Sequence, residues 1–281
     1  MSLDSIKKEA QETGVSLSLV LKEYIHGIVL DYLFRKGLFS HLVFQGGTAL
    51  RLFYGGIRYS EDLDFVLKKK DERYLGEIHG YLRLLPKHVE KTALFVKSAR
   101  LTEQKKSSTF LRFHLLLEIP DLNITDRTNI EVANVPSYSH EALILKRSTG
   151  PFSPAVVVEK PQEILCDKII AFGNREYLKG RDIWDIKFLF TTLKCEIDAQ
   201  TIEWVQKKLN DYKIKNEKFI LKYQENLKIL NEQGLKLFRN ELDVFLPQPY
   251  RETFSPQYGQ ICRYVSEKLN YFMGLYKNED K

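Results

Sequence analysis

Between Phe44 and Leu67 the chain reads FQGGTALRLFYGGIRYSEDLDFVL. An apolar run, His41–Phe44, predicts a short strand that stops at Gly46-Gly47, where the backbone can take angles closed to residues with a Cβ. Thr48–Phe53 reads as a short helix. Asp62–Leu67 then alternates Leu63, Phe65 and Leu67 against Asp62, Asp64 and Val66, the period of a strand. Alternate residues of a strand share a face, so Asp62 and Asp64 present two carboxylates together. Strand, glycine turn, helix and strand in this order predict an α/β (α+β) fold.

Two bare carboxylates ~4 Å apart repel by on the order of 4 kcal/mol at an effective dielectric near 20. A cation between them removes that cost, and hard oxygen ligands select Mg²⁺ (or Mn²⁺). The first N–H groups of the helix after Gly47 favour an anion, and Thr48 adds a hydroxyl. Glu131, in TNIEVANV, is the candidate third carboxylate, with Ile130 and Val132 facing the other way. Three carboxylates can clamp two ions roughly 3.5–4 Å apart, an arrangement suited to in-line displacement at phosphorus.

A chain of 281 residues suggests two domains. The pattern changes near Pro161, which divides it into a mixed-sheet domain with an N-terminal helix, 1–160, and a helical domain, 161–281. In the first part we read helices at Val15–Arg35 and Asp71–Leu85, the latter stopped by Pro86. Strands follow within Thr92–Leu101, Ser108–Ile119 and Thr128–Val135, with shorter ones at Ala142–Lys146 and Ala155–Glu159. In the second part helices are expected at Gln162–Phe172, Asp182–Thr192, Ala199–Leu209, Asn216–Gln233, Gly234–Phe245 and Tyr258–Tyr276. Pro247–Pro256, with three prolines, reads as a loop.

No run approaches the ~20 apolar residues of a membrane span, and MSLDSIKKEAQE lacks the apolar core of a signal peptide. A cytoplasmic protein with no membrane partner is expected. Cys166, Cys195 and Cys262 are far apart and form no CxxC pair, which speaks against a disulfide framework or a zinc site. Buried thiols are expected. The net charge of +6 suits a phosphate-bearing partner.

A second block, QEILCDKIIAFGNREYLKGRDIWDIKFL, runs from Gln162 to Leu189. Lys168 and Arg175 are seven apart and fall ~20° from each other on a helix. Lys168 is either a surface lysine beside Asp167 or a cation for a β- or γ-phosphate. Gly180 is expected to end one helix and Asp182 to cap the next. Asp185 shares the face of Asp182. Arg181 meets a phosphate or pairs with Asp185. Phe53, Tyr54, Tyr59 and Tyr177 flank the motifs, for core packing or for stacking on a base. Lys68-Lys69-Lys70, Lys105-Lys106 and Lys207-Lys208 read as solvated faces, or as contacts to RNA phosphates.

The order strand, Gly-Gly, helix, D-x-D and later carboxylate resembles the nucleotidyltransferase superfamily that includes DNA polymerase β. GGTALRLFYGGIRYSEDLDF, with Arg58, Ser60, Asp62 and Asp64 in register, is similar to the AbiEii/AbiGii toxins of abortive-infection toxin–antitoxin systems, a family that includes the MenT toxins. The second block is similar to that family's later motifs. The resemblance implies transfer of a nucleoside monophosphate from an NTP to a hydroxyl. It implies metal ligation by Asp62, Asp64 and Glu131, and catalytic roles for these residues with Lys168 and Asp182. Nucleotide contacts would come from Gly46, Gly47, Thr48, Arg58, Ser60, Lys168, Arg181 and Asp185. The implied acceptor is the 3′ end of a tRNA, with translation blocked and a cognate antitoxin countering the effect. Two positions depart from the family: Glu131 replaces an aspartate, and Asn129 stands where many relatives carry lysine. The alternatives are a small-molecule, antibiotic-type nucleotidyltransferase and an inactive nucleotide-binding relative.

Overall fold

Among the described residues, seven strands form one mixed sheet in the order β3-β4-β5-β2-β1-β7-β6. They are β1 (Leu42–Gln45), β2 (Asp62–Leu67), β3 (Ser98–Lys106), β4 (Phe110–Ile119), β5 (Ile124–Pro136), β6 (His140–Ile144) and β7 (Ala155–Glu159). β2 runs parallel to β5 and β1 parallel to β7, and the other pairs are antiparallel. The computed structural model describes residues 2–122, 124–146 and 153–279. It divides into two compact units, one up to Glu159 and one from Lys160 on.

The first unit holds the sheet with α1 (Leu3–Thr13), α2 (Leu17–Arg35), α3 (Gly46–Phe53), α4 (Glu72–Leu82) and α5 (Leu85–Thr92). One face of the sheet is buried through Leu63, Phe65, Phe113, Leu115, Leu117, Ile130 and Val132. α4 covers it, with the His79 ring 5.6 Å from that of Phe113. Pro86 does not stop a helix but starts one. α4 ends before it, and α5 carries it in the first turn, where a missing N–H breaks no helical bond. The next strand is consequently displaced toward the C-terminus of its expected range, to Ser98–Lys106.

α2 is buried on nearly every side and takes His26 and Glu23 with it. His26 Nε2 lies 3.1 Å from the main-chain oxygen of Glu61. Burial pushes its imidazole down from 6.5 to about 4. The unfolded chain takes up the extra proton between those values, so stability is lost as the pH falls from about 6.5 toward about 4. The first unit should lose about 3 kcal/mol over that window. Urea unfolding followed by circular dichroism at pH 7 and pH 4.5 should show this loss, and His26→Gln should shrink it.

The second unit is helical: α6 (Pro161–Asn174), α7 (Gly180–Thr191), α8 (Ala199–Asp211), α9 (Asn216–Leu237), α10 (Gln248–Phe254) and α11 (Tyr258–Glu279). Phe172, Phe219, Tyr223, Phe272 and Tyr276 interlock in its core. Two expectations are corrected here. α9 runs through Gly234, which is buried against Cys262, where a Cβ would lie 2.8 Å from the sulfur. The proline-rich stretch is no loop: Pro249 sits in the first turn of α10, the position a proline tolerates. All three cysteines are buried thiols. Among the described residues no helix is long and apolar enough to cross a membrane.

Candidate functional site

Strand register decides which side chains meet. Gln45 of β1 pairs with Asp64 of β2. In the parallel β2–β5 ladder, Asp62 lies opposite Asn129 and Asp64 opposite Glu131. On β4, Arg112 lies opposite Glu131 and His114 opposite Asn129. Asp62, Asp64 and Glu131 therefore occupy one face of the sheet, opposite the buried one. Glu131 Oε1 accepts a hydrogen bond from Arg112 Nε at 2.8 Å. Among the described residues no three His, Cys, Asp or Glu side chains form a ligand set for one ion.

What lies beside the aspartates instead is Asn129. Its Nδ2 donates to Asp62 Oδ1 at 2.8 Å, and its own Oδ1 is buried without a hydrogen-bond partner. Two carboxylates and an orphaned amide oxygen are hard donors. They fit a divalent cation such as Mg²⁺ or Mn²⁺, with Glu131 one register position away.

The glycine turn abuts this face. Gly46 has φ +80°, and a Cβ there would lie 2.9 Å from Asp64 Oδ2. A Cβ on Gly47 would lie 2.1 Å from Arg58 Nη2 and 3.2 Å from Ser60 Oγ. The buried Arg58 guanidinium and the Ser60 hydroxyl thus converge on the N-terminus of α3, a combination able to hold a phosphate. Thr48 behaves differently from expectation. It is buried, and its hydroxyl donates to the main-chain oxygen of Asp62, fastening the turn to β2 instead of offering that proton to a ligand.

Gly47→Ala should displace the Arg58 guanidinium. A hydrogen bond to a charged group contributes about 1.5–3 kcal/mol, so a phosphate-bearing ligand at this turn should bind roughly 10- to 100-fold more weakly. Calorimetric titration with a nucleoside triphosphate showing unchanged affinity would dissociate Arg58 from the phosphate.

Arg51, absent from the sequence expectations, shapes this region. It is buried, pairs through Nε with Glu23 Oε2 at 2.6 Å and donates through Nη1 to Ile57 O at 2.7 Å. Its guanidinium lies 3.7 Å from the Tyr59 ring centroid. Tyr59 donates in turn to Glu9 at 2.9 Å, and burial pushes its phenol up to about 12. The signal was present: an arginine among the apolar residues of TALRLF must bring a buried partner. Tyr54 donates to Glu159 O at 2.7 Å, whereas Tyr177 is 75% exposed.

In the second unit Lys168 on α6 is 8% exposed. Its Nζ lies 2.8 Å from Asp182 Oδ1 and 2.7 Å from Asp185 Oδ2. Arg175 Nε lies 2.7 Å from the other Asp182 oxygen. Gly180 starts α7 instead of ending its predecessor, so Asp182 stands in the first turn and Lys179 takes the cap position. Arg181 lies over the Phe245 ring, 5.1 Å from its centroid.

Lys208 corrects a further expectation. It is fully buried on α8, with Nζ 2.8 Å from Glu163 Oε1 and 2.6 Å from Asp167 Oδ2. Its neighbour Lys207 is half-exposed and meets Glu203.

The family model described as nucleotidyl transferase AbiEii toxin of type IV toxin–antitoxin systems matches residues 28–257. Among solved structures, the chain is similar to MenT4, a nucleotidyltransferase toxin of Mycobacterium tuberculosis, with a TM-score of 0.57 at 14% identity. That match covers 98% of this chain and 99% of the other, and it shows a shared fold. JHP933 from Helicobacter pylori is similar at a TM-score of 0.49 and 19% identity, over 95% of this chain and 100% of its own. No curated protein matches the chain in sequence.

Proposed function

We infer the reaction from one premise: the chain belongs to the AbiEii family of nucleotidyltransferase toxins of type IV toxin–antitoxin systems. The reaction we propose is transfer of a nucleoside monophosphate from an NTP to the 3′ hydroxyl of a tRNA. Translation in the cytoplasm stops as a result, and a cognate antitoxin opposes the effect. The observation that carries this reading is the contact between the two halves of the motif. Asp64 stands against the Gly46 turn so closely that a methyl group has no room between them.

Each residue then has a task. The Gly47 turn, Arg58 and Ser60 hold the triphosphate. Asp62 and Asp64, with Asn129 and Glu131 beside them, would hold Mg²⁺ or Mn²⁺, which when bound supplies positive charge to the phosphates. The acceptor oxygen attacks the α-phosphorus, the bond to the bridging oxygen breaks and pyrophosphate leaves. Glu131 helps to hold that ion or, once released from Arg112, takes the hydroxyl proton. In the second unit, Lys168 with Asp182 and Asp185 forms a buried ionic group of its own, and Arg181 lies over Phe245.

Purified protein incubated with total tRNA, Mg²⁺ and each α-³²P-labelled NTP in turn tests this. Label should enter RNA with at least one NTP and should be absent with Asp62→Ala. Label passing to a small molecule and never to RNA would overturn the acceptor. No transfer to any acceptor would leave an inactive relative.

A further inference from the structure

The sheet face that carries Asp62 and Asp64 extends across β5, β4 and β3, and its outer part is basic. One row holds Arg127, Leu116 and Arg100 on successive strands. The next holds Asp62, Asn129, His114 and Thr102, and the third Asp64, Glu131, Arg112 and Lys105. Arg100, Lys105, Arg112 and Arg127 are all exposed. The acidic side chain beyond them on this face, Glu118, is held by Lys97 and Ser98, each at 2.9 Å.

Neighbouring strands lie ~4.8 Å apart and alternate residues of a strand ~7 Å apart. Cations repeated on such a grid spread over more length than one triphosphate needs, and the Gly47 turn with Arg58 already serves that group. Among these arginines stands His114, opposite Asn129, whose flat ring offers a base a surface to stack on. A row of arginines leading to a carboxylate pair suits a chain of phosphates that ends in a reacting hydroxyl.

We propose that this face binds the phosphate backbone of a single-stranded RNA end through Arg100 and Arg127 and leads its terminal hydroxyl toward Asp62 and Asp64. The inference rests on the transferase reading above and adds where the acceptor lies. It separates acceptor binding, on β3–β5, from triphosphate binding, at the turn after β1.

The test compares wild type, the double variant Arg100→Gln/Arg127→Gln and a charge-matched control, Lys8→Gln/Lys228→Gln, whose lysines are exposed elsewhere. Binding of total tRNA is measured by fluorescence anisotropy over a range of salt concentrations, and KM for the NTP by label transfer. The double variant should bind RNA at least tenfold more weakly. The slope of log K against log salt should fall by about 1.4, because each phosphate contact to a single strand contributes ~0.7. The control should stay within twofold of wild type, and KM for the NTP should stay within twofold in both variants.

An unchanged RNA slope and affinity in the double variant would overturn the proposal while leaving the transferase reading intact, since wild type would still label RNA. A rise in NTP KM with RNA binding preserved would assign these arginines to the nucleotide and overturn it equally. Failure of wild type to bind or label RNA would remove both.

Discussion

Asp64→Asn should lower nucleotidyl transfer by on the order of 10³-fold and change stability by no more than about 1 kcal/mol. The two effects separate because Asp64 sits beside a second carboxylate on an exposed face. Its charge would serve a bound cation and triphosphate. Asparagine keeps the shape against Gly46, where the Asp64 oxygen leaves 2.9 Å for a Cβ. Initial rates at saturating Mg²⁺ and NTP, with thermal unfolding of the same samples, measure both quantities. A variant with wild-type rate would move the reaction centre away from β2, whatever family the chain belongs to.

The second large effect is structural and lies in the helical unit. Lys208→Met removes the cation from a site where Glu163 is fully buried and Asp167 nearly so. Stranding buried carboxylates costs about 3–5 kcal/mol, whereas replacing a whole buried ionic group by apolar residues is often neutral. Lys208→Met should therefore destabilise strongly, and the triple variant with Glu163→Leu and Asp167→Leu should recover most of the loss. Both tryptophans, Trp184 and Trp204, belong to this unit, so tryptophan fluorescence in urea reports its unfolding directly. A single variant that unfolds at the wild-type urea concentration would show that the carboxylates find other partners.

The two sites were legible in the sequence to different degrees. Gly46-Gly47 and Asp62-x-Asp64 stand out because each has a short-range physical cause: a backbone angle, and a two-residue period. That Glu131 would face away from Ile130 and Val132 followed from alternation within β5, and its register opposite Asp64 puts it on their face. That Arg112 would hold it at 2.8 Å did not follow, because cross-strand partners are set by register between segments far apart in the chain. Lys208 was hidden by its neighbour. Lys207-Lys208 reads as a charged pair on a surface, yet Lys208 keeps helical spacing with the buried Thr201 and Val205. Its long stem lets a charge lie within an apolar stripe once two carboxylates await it.

Proline and glycine each carry two opposite meanings in a sequence. Pro86 and Pro249 each begin a helix, although the same residue ends one when it comes later in the turn. Gly234 continues α9 because close packing against Cys262, not backbone freedom, requires it. α1 escaped notice because only Leu3, Ile6 and Ala10 of its eleven residues are buried, too sparse a stripe to register as a periodic pattern.

The hydroxyl of Thr48 and the carbonyl of Asp62 join two parts of the chain that are fourteen residues apart. The Gly55 corner between them is a detour from a fixed joint. Insertions or deletions in the exposed Gly55 corner can accordingly be absorbed without altering how far an anion at the turn stands from a cation at the strand. Relatives with longer or shorter corners can keep the same reaction distance.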